Sequence, residues 1–226
     1  MNDELQEETP EWRPLTSYQR RVAGVLVEKA KTTPDAYPLT VNAITNACNQ
    51  KSNRSPQMQI ASDDVELTLD ELREMGVVTE VQGGGRVAKY KHRLYDWLGV
   101  DKTEIAVMAE LLLRGTQTVG ELRGRAHRME PIPDLGTLQP LLAGLEERNL
   151  VVFLTPPGRG QVVTHGLFRS EELKRQRKEH ADSGGSEPRT ERQAPVAAAA
   201  PTPNELEELK AQVRELEERV ARLEQR

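Results

Sequence analysis

The sequence predicts a mainly α protein with small β-hairpins, an α+β chain of two tandem winged-helix units followed by a flexible tether and a short C-terminal coiled coil. Three observations predict it. The chain repeats itself at a shift of 73 residues, Leu72 falling on Leu145. Each copy reads as helix, helix, helix, hairpin. The last residues carry apolar positions at alternating spacings of three and four.

In the repeat, Leu72-Arg-Glu-Met-Gly-Val-Val lies on Leu145-Glu-Glu-Arg-Asn-Leu-Val. The same shift places Gly76 on Asn149, Val78 on Val151, Gly85 on Gly158, Arg86 on Arg159 and His92 on His165. Gly and Asn tolerate a left-handed C-cap, so both copies end a helix there and enter a β run. The turns Gln82-Gly-Gly-Gly85 and Pro156-Pro-Gly-Arg-Gly160 read as hairpin loops.

In the first copy, Ser17 can cap a helix carrying Val22, Leu26 and Val27. Thr40 opens a second through Ile44 and Ala47, and Ser62 a third whose apolar face is Val65, Leu69, Leu72 and Met75. In the second copy, Asp101 with Glu104 and Thr118 with Glu121 form capping boxes, and Asp134 opens the third helix, with Leu138, Leu141, Leu142 and Leu145. The expected layout is an acidic, disordered N-terminus over 1–14, winged-helix units over 15–98 and 99–170, a flexible linker over 171–203 and a coiled-coil helix over 204–226. The linker assignment rests on the absence of a periodic apolar face. Units of this size gain from mutual packing or dimerisation.

In the terminal heptads Leu206, Val213 and Val220 fall at a, and Leu209, Leu216 and Leu223 at d. β-Branched a residues with Leu at d favour two parallel strands, so a homodimer is expected. Glu205 would face Lys210 of the partner helix and Arg219 would face Glu224. A helix docking on its own domains is the alternative.

The chain has 31 Lys and Arg against 36 Asp and Glu, net −5. Counted by segment, residues 1–14 carry −4, 15–100 carry +1, 101–170 carry 0 and 171–226 carry −2. The deficit lies in the ends, so it does not exclude a polyanionic partner of the middle. One Cys cannot form an intramolecular disulfide, and the acidic start lacks a signal peptide's basic and apolar regions. No apolar run approaches the ~20 residues of a membrane span. The expected location is the cytoplasm, with no membrane partner.

The third helix is the usual major-groove reader of a winged-helix unit. Here it carries Asp63, Asp64, Glu66, Asp70, Glu71 and Glu74 against Arg73 alone, and the second copy has Asp134, Glu146 and Glu147 against Arg148. Carboxylates beside phosphates disfavour helix-in-groove reading. The acidic helix is either a solvated face or a protein-docking surface.

Cations cluster elsewhere. On the second hairpin strand of copy one Lys89, Lys91 and Arg93 share a face by period-two alternation, and could track a phosphate backbone. Arg123, Arg125, His127 and Arg128 lie on helix two of copy two, and Lys174 to Lys178 form a third cluster. The stretch Asn46-Ala-Cys-Asn-Gln-Lys-Ser-Asn-Arg54 is rich in side chains that bond base edges and phosphates. Its asparagines could equally shape the turn before Pro56.

The runs TTPDAYPLTVNAITNACNQKSNRSP, RVAKYKHRL and LLLRGTQTVGELRGRAHRM resemble the YceH-like family of bacterial tandem winged-helix proteins, over roughly residues 15–168. The resemblance implies the fold and no activity. It points to Asn49, Gln50, Lys51, Asn53 and Arg54, with Arg86 and Lys89, as residues to test.

No enzyme is expected. The sequence has neither HExxH nor CxxC, and His92, His127, His165 and His180 lack ligand spacing, so no metal site and no cofactor are assigned. Gly115-Thr-Gln-Thr-Val-Gly120 is followed by Glu rather than Lys and fails as a phosphate loop. Cys48 reads as a packing residue. The leading expectation is a non-enzymatic protein that binds double-stranded DNA through wings and the Asn49–Arg54 turn, in a regulatory or architectural role. The alternative is an adaptor that docks proteins on its acidic third helices.

Overall fold

The computed structural model describes residues 12–81 and 87–181. The expected N-terminal segment, the glycine turn with Arg86, and the heptads with Leu206, Leu209, Val213, Leu216, Val220 and Leu223 lie outside them, wholly or nearly so. Within the described residues the fold is mixed α and β, with eight helices and two small antiparallel sheets.

The first half runs α1 (Ser17–Thr32), β1 (Leu39–Thr40), α2 (Val41–Cys48), α3 (Ser62–Glu74), β2 (Val78–Val81) and β3 (Lys89–His92). A short helix, α4 (Leu94–Leu98), leads to the second half. That half runs α5 (Glu104–Arg114), β4 (Gln117–Thr118), α6 (Val119–Ala126), α7 (Leu135–Glu147), β5 (Val151–Phe153) and β6 (Val162–His165), and α8 (Ser170–Ala181) follows. The sheet orders are β1-β3-β2 and β4-β6-β5, so the topology repeats with the sequence. The register repeats too: Val78 faces His92 and Val151 faces His165. Gly76 and Asn149 both take positive φ, 74° and 56°, each closing its helix by a left-handed step before the strand begins.

The caps explain the helix starts. Thr16, one residue before the expected Ser17, caps α1 in a reciprocal box with Gln19. Thr40 caps α2, Thr118 and Glu121 form the box of α6, and Asp134 caps α7. Asp101 and Glu104 exchange their predicted reciprocal bonds, with the helix proper beginning at Glu104. Ala61 stands at the cap of α3 with no side-chain bond, and the first-turn carboxylates of Asp63 and Asp64 favour that end through the helix dipole instead.

Two features escape the sequence pattern. Each hairpin gains a third strand of two residues, β1 or β4, too short to show a period. The segment expected to be a flexible tether from residue 171 opens with α8, which corrects that boundary. Its anchor is Glu172, which accepts two bonds from Arg20, at 3.0 and 3.1 Å. Arg20 also lies 4.6 Å from the Phe168 ring centre. These contacts are polar and long-range, so hydrophobic periodicity does not report them.

One core joins the halves. α1 is buried along Gln19–Val27 because α2 and α3 cover one side and α5 the other. Its counterpart α5 is buried from Ile105 to Leu113. Leu15 N–H donates to the Leu167 carbonyl and Ser55 N–H to that of Leu113, tying the first half to the second through backbone.

Candidate nucleic-acid interface

The turn after α2 is built by side chains turned inward. Asn49 brackets the Ile60 backbone, its amide donating to the carbonyl at 2.9 Å and its Oδ1 accepting from the N–H at 2.8 Å. That pair works as a pseudo-backbone closure of the 49–60 loop. Arg54 is buried: Nε donates to the Ala47 carbonyl, and both terminal nitrogens meet the Glu28 carboxylate, at 3.1 and 2.5 Å. Asn53 holds a positive φ of 61°, a step that asparagine tolerates. Two of the expected DNA contacts, Asn49 and Arg54, are therefore corrected to internal structural roles. Lys51 is exposed and Gln50 half-buried.

Beside this turn the halves meet in a polar network that sequence reasoning missed. Arg114 and Arg128 both donate to Asn53 Oδ1, the latter at 3.5 Å. Arg114 Nε lies 2.8 Å from Glu110 Oε1, an ion contact without hydrogen-bond alignment. Glu110 is 2% exposed, and burial pushes its carboxyl above the usual range despite the nearby arginines. A carboxylate inside the apolar run Ile105–Leu113 was the available signal. Arg21, also missed, is 1% exposed and donates to the Cys48 and Pro56 carbonyls. Burial pushes the adjacent Cys48 thiol up to about 12, which makes it a packing group.

A cleft of about 600 Å³ opens over the network, lined by Lys29, Gln50, Lys51 and Asn53 from the first half and Glu110 and Arg128 from the second. The turn and the residues just past α6 thus share one surface. The cations of α6 itself are partly committed. Arg123 donates to the Ile132 and Pro133 carbonyls, while Arg125 bonds Gln117 and Glu121. Arg123 Nη1 therefore holds the α6–α7 connection.

β3 presents the clearest free cations. Lys89 and Lys91 are exposed on one face while Tyr90 turns into the core. Among the described residues neither lysine forms an ion pair. Arg93, just past the strand, reaches Asp96 at 3.4 Å across solvent. His92 faces the other way, its ring between Tyr37 and Tyr95, and its backbone N–H donates to Tyr37 Oη at 2.7 Å. Burial drives the His92 imidazole down to about 4 and lifts the Tyr37 phenol to about 12, so both are neutral. At the repeat-related position His165, 1% exposed, stacks on Phe168 at 3.9 Å and is likewise held neutral by burial.

The outer face of α3 carries Asp63, Asp70, Glu71 and Glu74, all exposed, around Leu67, which is 65% exposed. Arg73 is balanced by Asp70 and Glu80. The described residues contain no cluster of three or more metal-ligating acidic, His or Cys side chains, and no helix long and apolar enough to cross a membrane.

The chain is similar to UPF0502 proteins of several bacteria. It is 54% identical to one from Rhodopirellula baltica over 174 residues, covering 76% of this chain and 73% of the relative. With one from Geotalea uraniireducens it shares 43% over 211 residues, covering 93% and 87%. With one from Geobacter metallireducens it shares 44% over the same length and coverage. Residues 15–159, which hold α1 to β5 and so the turn, the cleft and the β3 lysines, match a family described as "Protein of unknown function, DUF480", and the chain belongs to that family.

Proposed function

We propose that the two repeated units are winged-helix modules of the YceH-like kind and that the protein binds double-stranded DNA without catalysing a reaction. The observation that carries this reading is the pair of exposed lysines, Lys89 and Lys91, on the outer face of β3 with no carboxylate partner among the described residues. Cations held on a strand at period two meet successive phosphates without reading bases. Gln50, Lys51 and Arg128 at the cleft supply a second set of contacts, and Arg86 belongs to the same hairpin as the lysines in the sequence. The acidic α3 stays out of the groove, because its carboxylates would face phosphates. The role is regulatory or architectural, and the terminal heptads supply a homodimer that presents two such surfaces.

Duplex binding titrated against salt tests the reading. Each phosphate contact contributes about −0.9 to the slope of log K against log salt. Lys89→Glu with Lys91→Glu should therefore reduce that slope by about 2. Failure to bind duplex DNA at ~50 mM salt would overturn it.

A protein-docking adaptor is the second reading. Leu67, a large apolar side chain left 65% exposed within the carboxylate face of α3, favours it. Capture of a basic partner lost on Leu67→Glu, together with absent DNA binding, would select this reading.

A further inference from the structure

A second cavity, of about 410 Å³, lies between α1, the loop after α2, the end of α5 and α8. Arg20, Arg21 and Arg114 line it, with Met58, Leu112 and Phe168 as its apolar wall. The charges do not balance. Arg20 is matched by Glu172, and Arg114 by Glu110. Arg54 is matched by Glu28. Arg21 has only two carbonyls, at 3.0 and 2.6 Å, and its Nε–H is buried with no acceptor. Its largest charge influence is a repulsive one from Arg54.

A guanidinium that is 1% exposed and lacks a carboxylate is expensive unless something neutralises it. Across the cavity, His165 is 1% exposed with an unpartnered Nδ1. Orphaned polar groups beside an open volume are the mark of a site whose complement is a ligand.

We propose that this cavity binds a small organic anion, its carboxylate or phosphate group facing Arg21 and Arg114 and its apolar body against Met58, Leu112 and Phe168. A volume of about 410 Å³ suits a small molecule. Because α8 forms one wall through Glu172 and Gln176, with Thr116 Oγ1 donating to Gln176 Oε1 at 2.7 Å, occupancy is coupled to the seating of that helix. The inference stands apart from the DNA reading, since none of the residues assigned to DNA lines this cavity.

Isothermal titration of the full chain with benzoate and phenyl phosphate, against acetate and inorganic phosphate at matched ionic strength, tests it. The expected result is saturable binding of an aryl anion with Kd on the order of 1 mM or tighter. Arg21→Met should weaken it at least ~10-fold. Arg21→Met also removes two backbone contacts, so Ser55→Trp provides a second arm. It fills the cavity rim, removes neither of the carbonyls that Arg21 bonds, and should abolish binding. No saturable binding of any probe, equal affinity for acetate and benzoate, or wild-type affinity in the Ser55→Trp protein would each overturn the proposal.

Discussion

Gly24 of α1 lies so close to Leu113 of α5 that a Cβ on it would sit 2.9 Å from the Leu113 Cγ and 3.3 Å from the Leu112 Cβ. The first helices of the two repeats therefore meet at a glycine, and the halves share one core. Helix propensity would reward Gly24→Ala by about 1 kcal/mol, whereas overpacking costs about 1–3 kcal/mol. Valine has a smaller reward and adds volume. Gly24→Val should destabilise by at least about 2 kcal/mol, and urea unfolding should show one transition for both halves. Two separated transitions in the wild type would contradict the shared core.

Arg54 and Lys51 are three residues apart and should behave oppositely. Arg54 has a side chain that is 0% exposed, and Glu28 lies 2.5 Å away. Removing one partner of a buried pair leaves a stranded charge, at a cost of about 3–5 kcal/mol. Arg54→Ala should lower stability by that order, while Lys51→Ala, at the surface, should stay within about 0.5 kcal/mol. Chemical denaturation of the two variants checks the contrast.

His92 and His165 are both held neutral by burial. The unfolded chain takes up their protons near the ordinary histidine value, about 6.5, and the folded chain only at lower pH. Stability should therefore fall as pH drops from about 6.5 towards 4 at roughly 1 kcal/mol per pH unit for each histidine. His92→Phe should remove one of those contributions and flatten the profile, read as the wild-type minus variant difference so that carboxylate titration cancels.

The left-handed steps at Gly76 and Asn149 give a further contrast. Nothing lies within 4 Å of a Cβ built on Gly76, so Gly76→Ala costs only the left-handed backbone, about 1 kcal/mol. Asn149→Gly should be neutral or slightly stabilising, because asparagine already tolerates the conformation at some strain. Thermal melts should show a lowered midpoint for Gly76→Ala and an unchanged or raised one for Asn149→Gly.

Much of this fold is local chemistry and could be read from the chain. Thr40, Thr118 with Glu121, and Asp134 mark helix starts by cap bonds spanning three residues, and Gly76 and Asn149 mark the ends. The alternation around Lys89, Tyr90 and Lys91 placed the lysines outward for the same reason, since a strand's period is fixed by its backbone. The 73-residue shift predicted that the second half would repeat the first, and the sheet orders repeat.

What the sequence could not decide is which polar side chains turn inward, because that depends on partners far along the chain. Arg54 and Lys51 look alike as cations until Glu28, 26 residues back from Arg54, takes one of them. Arg123 looks like its neighbour Arg128 until the Ile132 and Pro133 carbonyls hold it. Tertiary packing alone pressed α1 against α5 at Gly24, seated α8 through Glu172 on Arg20, and enclosed Arg21 beside a cavity with no carboxylate of its own. The physical reason is range. Caps, turns and strand periods act over a few residues, whereas the burial and pairing of a charge are set by whichever distant groups the folded core brings beside it.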